Sequence, residues 1–353
     1  MQLDENTRAY EMNLLERLSE MPAAPGREER VRSFIRERVE PLCDDIKVDA
    51  LGNLICRKAP SAGGEDAETV MVACHMDEIA FYVRHIDDEG FLRLQALGGF
   101  DVRNLFARRV RIQTRDDREI IGNLNASGPP IHLAKEEDKN KIPEVGELFV
   151  DTGLPVEEVK ERIRPGDPVT LVQDFVEMGD LASGKCLDNR VACWCGIRLL
   201  ENLEETDDEL YVVFTAQEEI GVRGAQTSGF GISPDVGIAI DVTLAVDIPD
   251  VSEEKHVTQL GEGTAIKIYD SRSVSNKELV DEFIHLAENN QISHQYELLP
   301  MGGTDAAGVQ LAGSGCRAIT LSVPCRYVHT VTETIHQHDL HATLDLLLAY
   351  FSR

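Results

Sequence analysis

Two adjacent carboxylates, Glu218 and Glu219, are the residues whose type and position most directly suggest chemistry. They lie in the segment TAQEEIGVRG (215–224), directly after an apolar run that predicts a buried strand. The carboxyl ends of strands in open α/β sheets face the ligand crevice, and neighbouring side chains point in different directions. One glutamate could therefore bind a metal while the other stays free as a base. Because a glutamate pair on a loop is most often solvated, the pair alone decides nothing.

Further imidazole and carboxylate groups follow apolar strands or open a helix, namely His75 with Asp77, Asp188, Asp241 and His329. Each has an ordinary explanation alone, such as a polar strand end, a helix N-cap or a turn aspartate. His75, His329, Asp188, Asp241 and one of the two glutamates make a set of two histidines and three carboxylates. Such a set fits a two-metal hydrolytic site. Nitrogen and oxygen ligands of this kind suit Zn²⁺, Co²⁺ or Mn²⁺.

The elements that must position these groups alternate between strands and helices, and they indicate the α/β class. We expect a mixed, mostly parallel sheet sandwiched between helices. The first half begins with two helices and a hairpin before the strand that ends near His75. The expected elements are helices at 5–21, 27–42, 189–203, 275–290 and 337–352, a hairpin at 44–57, and strands at 69–74, 211–216, 236–241, 264–269 and 317–323.

The region 79–176 has a different pattern from its surroundings. Short alternating segments such as FYVRHID, FLRLQAL and RVRIQT are each bounded by Gly, Asp or Asn, which is typical of short strands. One helix is expected at 155–163. The pattern predicts a small β-rich domain inserted into a discontinuous catalytic domain made of 1–78 and 177–353.

Composition excludes several classes of function. The 353 residues include 35 Lys and Arg against 63 Asp and Glu, a net charge of −28, which argues against a nucleic-acid partner and against an anionic membrane surface. The sequence has no signal-peptide pattern and no stretch of about 18 apolar residues. The eight cysteines include no C-x-x-C pair. We therefore expect free thiols and a cytoplasmic location.

Six segments in this order resemble the M42 family of co-catalytic metallo-aminopeptidases, which includes the tetrahedral (TET) and glutamyl aminopeptidases. They are CHMDEIAFYV, LDNRVACW, TAQEEIGVRGA, IDVTLAVDIP, MGGTDAAG and VPCRYVHTVTE. The resemblance covers nearly the whole chain and implies a zinc-peptidase-like fold. One departure is Val331, where many relatives have proline.

The resemblance implies a ligand set for two divalent ions, expected to be Zn²⁺ or Co²⁺ with Mn²⁺ as a third candidate. Asp188 would bridge both ions, and the peptide bond after it would be cis. His75 and Asp241 would complete the site of one ion, whereas Glu219 and His329 would complete the site of the other.

The resemblance also assigns the chemistry. Glu218 would act as the general base in metal-activated attack of water on a peptide bond, and Asp77 would orient the ring of His75. Thr304 and Asp305, in the segment MGGTDAAG, are candidate substrate-binding residues. The expected activity is removal of N-terminal residues from short peptides. The inserted domain would mediate homo-oligomerisation, from dimers up to dodecamers.

Two alternatives remain open from sequence. An endoglucanase-like glycoside hydrolase would use two carboxylates across a sugar, but the adjacent glutamates are poorly placed to flank a bond and the histidines would be unexplained. A non-catalytic oligomeric binding or assembly protein on the same fold is the second alternative. Loss of activity in EDTA would separate the metallopeptidase from the glycosidase.

Overall fold

The computed structural model describes residues 5–61, 67–116 and 118–353, and these residues form a helix-covered sheet and a separate closed barrel. None of the described helices is both long enough and apolar enough to cross a membrane. The eight α-helices of the described residues are α1 (Glu5–Glu20), α2 (Glu29–Val39), α3 (Val156–Arg162), α4 (Leu187–Asn202), α5 (Arg223–Ile232), α6 (Lys277–Asn289), α7 (Asp305–Gln310) and α8 (Gln337–Phe351).

The strands divide between two sheets. The large sheet has the order β1-β2-β12-β3-β13-β16-β17-β11-β10, with β14 paired to β16 and β15 paired to β14. In chain order the strands are β1 (Asp45–Val48), β2 (Leu54–Lys58), β3 (Thr69–His75), β4 (Ala80–Ile86), β5 (Leu92–Leu97), β6 (Arg108–Gln113), β7 (Glu119–Ala126), β8 (Leu148–Asp151), β9 (Pro168–Leu171), β10 (Val176–Met178), β11 (Leu181–Gly184), β12 (Glu209–Thr215), β13 (Val236–Leu244), β14 (Thr264–Tyr269), β15 (His294–Leu298), β16 (Arg317–Arg326) and β17 (Glu333–His336).

The central strands are apolar because both of their faces are covered. In β3, Val70 and Val72 pack into the cluster that includes α1, α2, α4, α6 and α8, whereas Met71 and Ala73 pack into the cluster with residues of α5. Successive side chains of a strand point to opposite faces, so a continuous apolar run fits a strand between two helix layers. The expectation of an α/β sheet sandwiched by helices is confirmed.

The sheet is mixed, as expected, but its antiparallel ladders outnumber its parallel ones. Parallel ladders join β12 to β3, β3 to β13, β13 to β16 and β14 to β15. The ladders of β1, β10, β11 and β17, and those between β2 and β12 and between β14 and β16, are antiparallel. The alternation of strands and helices gives parallel pairs at the centre and in the unit β14–α6–β15. Short connections and the return from the barrel add antiparallel strands outside the centre.

The barrel closes in the order β4-β5-β8-β7-β6-β9, and all of its strands lie between residues 80 and 171. Its core is formed by alternating apolar residues of these strands, for example Val110 and Ile112 of β6. Val331, which follows β16 of the large sheet, is also buried in this core. The barrel is therefore packed against the loop that carries His329.

Candidate active site

The predicted site residues lie together near the carboxyl ends of the central strands of the large sheet. His75 is the last residue of β3, and Thr215, at the end of β12, stands opposite it in a parallel ladder. Glu218 and Glu219 follow β12 by a short turn. The other three residues are Asp188 in the first turn of α4, Asp241 in β13 and His329, which lies three residues after β16. Parallel strands bring these ends together, as expected for an open α/β sheet.

Asp188 lies between two groups of potential metal ligands. Its Oδ1 is 3.2 Å from Nε2 of His75, and its Oδ2 is 3.3 Å from Nε2 of His329. Asp241 Oδ1 is 4.0 Å from Nε2 of His75, and Glu219 Oε2 is 3.5 Å from Nε2 of His329. The two groups are thus His75, Asp188 and Asp241, and Asp188, Glu219 and His329. The peptide bond between Asp188 and the next residue is cis, which confirms that expectation.

The donor chemistry and one unpartnered atom fit divalent ions. Within each group the potential ligand atoms all lie within 4.8 Å of one another. Glu219 Oε1 is buried and has no hydrogen-bond partner among the described residues. A buried carboxylate oxygen without a partner is costly, and an ion would satisfy it. Imidazole nitrogen and carboxylate oxygen are the ligands used by Zn²⁺ and similar ions.

The close packing of these ionisable groups shifts their pKa values. Burial lowers the pKa of His75, but hydrogen bonds with Asp188 and Asp77 outweigh it, so the net shift is well upward. Burial alone would raise the pKa of Asp188, yet contacts with His329 and His75 hold it below the usual range. The aspartate shared by the two groups is therefore kept ionised, which metal binding would require.

The outer carboxylates behave in the opposite way. Burial raises the pKa of Glu219 to about 8, with the charge of Asp188 adding to the rise. Burial likewise raises the pKa of Asp241 to about 8. The pKa of His329 rises to about 10, because contacts with Asp188 and Glu219 exceed the effect of burial. A divalent cation would stabilise the ionised form of these two carboxyl groups and would displace the proton from His329, because metal ligands must be deprotonated.

Glu218 lies beside both ligand groups but belongs to neither of them. Its Oε2 is 3.9 Å from Nε2 of His75, and its side chain lines the cleft above the site. Burial raises the pKa of Glu218 well above its ordinary value. A carboxyl group in that position, with an elevated pKa, can hold and release a proton near the reacting atoms.

Asp77 is fully buried beneath the glutamate pair. Its Oδ1 accepts the backbone N–H of Glu218 at 2.9 Å, and its Oδ2 accepts that of Glu219 at 3.1 Å. Nδ1 of His75 is 3.2 Å from the backbone carbonyl oxygen of Asp77 and 3.6 Å from its Oδ1. Asp77 thus touches the ring of His75, but its carboxylate is mainly used to hold the turn that carries both glutamates.

Glu333 performs the same task on the other side of the site, and sequence reasoning missed it. Its Oε2 accepts the backbone N–H of Asp188 at 2.9 Å, and its Oε1 accepts that of His329 at 2.8 Å. It is almost fully buried, and burial raises its pKa well above the usual range. The only sequence signal was an acidic residue opening the buried strand ETIH, four positions after His329.

The two candidate substrate residues lie in different environments. Thr304 lines the cleft, and its hydroxyl is 2.8 Å from that of Thr320. Asp305 does not line the cleft; it is buried and accepts a hydrogen bond from the hydroxyl of Thr215. Burial raises the pKa of Asp305 to about 6. Thr304 is the N-cap of α7 and Asp305 is its first residue, and α7 packs against β3 and β13.

The barrel also approaches the site, which sequence reasoning did not predict. Gly98 and Gly99 follow β5 of the barrel. A Cβ atom on Gly98 would lie 3.3 Å from Glu219 Oε2 and 2.7 Å from Ile79 Cγ2, and one on Gly99 would lie 3.5 Å from Nδ1 of His329. The two glycines allow the barrel backbone to pass close to the second ligand group.

Comparison with known proteins finds a matching family over most of the chain. Residues 52–346 match the model of the M42 glutamyl aminopeptidase family. The lysyl aminopeptidase of Pyrococcus furiosus is 31% identical over 344 residues, which cover 95% of this chain and 95% of the relative. The structure of aminopeptidase APDkam598 from the archaeon Desulfurococcus kamchatkensis superposes with a TM-score of 0.91 at 36% identity, covering 98% of this chain and 95% of that one.

A second similar structure is the TET1 peptidase of Pyrococcus horikoshii, which can assemble into a tetrahedron or a large octahedral shell. It has a TM-score of 0.85 at 30% identity, and the match covers 97% of this chain and 99% of that one. These likenesses favour the peptidase over the glycoside hydrolase and over the non-catalytic assembly protein. The chain belongs to the M42 family of aminopeptidases, and it is a hydrolase that acts on peptide bonds.

Proposed function

We propose that this enzyme is a di-metal aminopeptidase with the ligand arrangement of zinc peptidases. Asp188 would be shared by the two ions, His75 and Asp241 would complete the ligands of one ion, and Glu219 and His329 would complete those of the other. The observation that carries the proposal is the position of Asp188, whose two oxygens lie 3.2 Å and 3.3 Å from the ring nitrogens of the two histidines. Zn²⁺ or Co²⁺ suits this donor set, with Mn²⁺ as the third candidate.

The residues divide the chemistry between them. When bound, two such ions supply Lewis-acid chemistry: they polarise the scissile carbonyl and lower the pKa of water. Glu218 takes the proton of the attacking water and returns it to the leaving amine. Asp77 keeps Glu218 in place through the backbone, and thereby acts on the reaction through another residue. Short peptides with a free N-terminus are the proposed substrates.

The Glu218→Gln variant tests this assignment. It keeps the shape of the side chain but cannot accept the proton, so kcat should fall by about 100-fold or more. Metal content, measured by atomic emission after dialysis, should stay at the wild-type value. A variant that keeps both its metal and near-wild-type kcat would show that another group is the base. Glu219→Gln is the matched control, because it should lose metal as well as activity.

Removal of metal tests the cofactor separately. Dialysis against EDTA should abolish release of p-nitroaniline from aminoacyl p-nitroanilides, and Zn²⁺, Co²⁺ or Mn²⁺ should restore it to different extents. Activity that survives complete removal of metal would contradict the di-metal proposal. It would revive the glycosidase alternative only if it were accompanied by hydrolysis of a glycoside.

The cleft beside the site supports a preference for an acidic first residue. It encloses about 350 Å³, and apart from the proposed metal ligands and Glu218 its only charged lining residues, in the described part of the chain, are Lys267 and Arg272. Lys267 is neutralised, since its Nζ is 2.7 Å from Glu297 Oε1 and 3.6 Å from Asp270 Oδ2. No acidic side chain among the described residues forms an ion pair with the guanidinium of Arg272, which lines the same cleft.

Arg272 is held at the mouth of the cleft by its backbone. Its N–H donates to Asp270 Oδ1 at 2.8 Å, and its side chain lies against Gly303, where an added Cβ would be 2.3 Å from Cδ of Arg272. A planar guanidinium in this position can bind a carboxylate through two parallel hydrogen bonds. We therefore propose that peptides beginning with Glu or Asp are the preferred substrates.

We also propose that the enzyme is a cytoplasmic homo-oligomer, between a dimer and a dodecamer, and that the barrel domain (79–176) mediates assembly. The described part of the barrel exposes Ile121, Ile131, Leu133 and Ile142, apolar side chains that a partner subunit could cover. All eight cysteines are free thiols, which suits a reducing compartment. Light scattering after size-exclusion chromatography tests assembly, and a monomer at working concentration would contradict it.

A further inference from the structure

Glu333 connects two segments that carry proposed metal ligands. One oxygen accepts the backbone N–H of Asp188 at 2.9 Å, and the other accepts that of His329 at 2.8 Å. Neither ligand side chain is touched by these bonds. The carboxylate instead fixes the two backbones, one at the start of α4 and one in the loop after β16. Both of its oxygens are used, and 2% of the residue is exposed.

The backbone of Glu333 is itself well fixed. It opens β17, which pairs with β11 through Gly184 opposite Glu333, and with β16 through Thr334 opposite Arg326. His329, by contrast, lies outside any strand and has a φ of 63°, in the left-handed region that non-glycine residues rarely adopt. A rigid strand therefore holds a loop residue whose own conformation is unfavourable.

We propose that Glu333 is a positioning residue that sets the spacing between Asp188 and His329, and through it the affinity of the second ligand group for its ion. The proposal rests on the metal-ligand set given above. Asp188 belongs to both groups, whereas His329 belongs only to the group with Glu219. Loosening both backbones should therefore weaken this second group more than the group formed by His75, Asp188 and Asp241.

Asp339 offers a matched control. It is fully buried, and like Glu333 it accepts two backbone N–H groups, those of Gly261 and Gly263, both at 2.8 Å. It belongs to neither ligand group and does not line the cleft. Asp339→Asn and Glu333→Gln thus make the same chemical change at the same kind of contact. Only the latter is connected to proposed ligands.

The experiment measures metal binding rather than turnover. Wild-type enzyme, Glu333→Gln and Asp339→Asn are loaded with Zn²⁺ and titrated with a competing chelator, at a temperature where circular dichroism shows each to be folded. The wild type should hold two ions. In Glu333→Gln the affinity for one ion should fall by about 10- to 100-fold, as is typical when a group behind a ligand is lost. Asp339→Asn should bind both ions as the wild type does.

A double variant distinguishes positioning from general damage. His329→Ala should lose affinity for one ion. If Glu333 acts through His329, the double variant Glu333→Gln/His329→Ala should bind metal hardly more weakly than His329→Ala alone, because the two changes affect the same contact. Glu333→Asp, which keeps the charge on a shorter stem, should give an intermediate affinity and serves if Glu333→Gln does not fold. Unchanged affinities in both Glu333 variants, or equal losses in Asp339→Asn, would overturn the inference. A wild type that binds fewer than two ions would instead contradict the proposed ligand set.

Discussion

The carboxylate of Asp77 accepts the backbone N–H of Glu218 at 2.9 Å, and its second oxygen accepts that of Glu219 at 3.1 Å. One buried side chain therefore fixes the turn on which two adjacent glutamates point to different places. Glu219 Oε2 lies 3.5 Å from the ring of His329, whereas Glu218 Oε2 lies 3.9 Å from the ring of His75. The different roles proposed for the two glutamates depend on this turn.

Replacing Asp77 by Asn should lower kcat by about 10- to 100-fold. The amide group of Asn presents N–H to one of the two backbone N–H groups, so either Glu218 or Glu219 loses its partner. Steady-state kinetics on an aminoacyl p-nitroanilide, with metal content measured in parallel, would report both effects. An Asp77→Asn enzyme with wild-type kcat and full metal content would show that the turn holds its shape without these bonds.

The candidate ligands could be named from the sequence because each lies where a local pattern ends. His75 follows an apolar strand, Asp241 lies at the end of another predicted strand, and Asp188 precedes a helical pattern, so each could be named before the fold was known. The position of Asp188 between the two histidines could not be derived from these patterns, since it depends on contacts among β3, β13 and α4. The family resemblance supplied the pairing instead.

Two helices were not predicted, and their composition explains why. α5 (RGAQTSGFGI) and α7 (DAAGVQ) contain glycines, which lower helix propensity. The glycine in α7, Gly308, is required by packing: an added Cβ would lie 2.9 Å from Cγ1 of Val222 and 3.2 Å from Cβ of Ala225. Close contact between the two helices outweighs their weak local preference, and a single sequence does not reveal such a contact.

The stability of the protein should depend on pH through Asp339. Burial raises the pKa of this carboxyl group to about 7, against about 3.9 in an unfolded chain. Between those values the folded state holds a proton that the unfolded state has lost. The resulting contribution to stability is complete below about pH 4 and is lost as the pH rises to about 7; it amounts to at most about 4 kcal/mol.

The difference between the wild type and Asp339→Asn isolates this contribution, because the other groups that titrate in this range are common to both. Thermal unfolding is measured from pH 4 to pH 8 in both proteins. Relative to the variant, the wild type should lose stability as the pH rises and should level off above about pH 7. Parallel curves across the whole range would mean that Asp339 does not titrate in the folded protein.

Shortening Val331 to Ala should destabilise the protein by roughly 1–2 kcal/mol, because it removes two buried methyl groups and leaves a cavity in the barrel core. The residue lies two positions after His329, so the loss should also loosen the loop that carries this ligand. Urea unfolding measures the first effect, and chelator competition for bound metal measures the second. Val110→Ala, in the same core but on β6, is the control.

The two variants should therefore differ only in metal affinity. Val110→Ala should cost a similar free energy of unfolding while leaving the affinity for both ions unchanged. Equal metal affinities in the two variants would show that the packing of the barrel against the loop is mechanically separate from the position of His329.

Replacing Arg272 should change which peptides the enzyme prefers. The decisive ratio is kcat/KM for Glu p-nitroanilide over that for Gln p-nitroanilide, since these substrates differ in charge and hardly in shape. Loss of a charge-assisted hydrogen bond in Arg272→Ala should lower the ratio by about tenfold or more. Arg272→Glu should reverse the preference in favour of Lys p-nitroanilide, because a carboxylate now stands at the mouth of the cleft.

Two further variants test whether a change in the ratio is specific to Arg272. Gly303→Ala keeps the charge but pushes against the stem of Arg272, so it should lower the ratio in the same direction. Arg36→Ala removes an exposed arginine of α2 outside the cleft and should leave the ratio of kcat/KM values unchanged. If Arg272→Ala instead slows only the hydrolysis of free dipeptides, compared with their C-terminal amides, the guanidinium binds the far end of the substrate and the proposed preference for an acidic first residue is wrong.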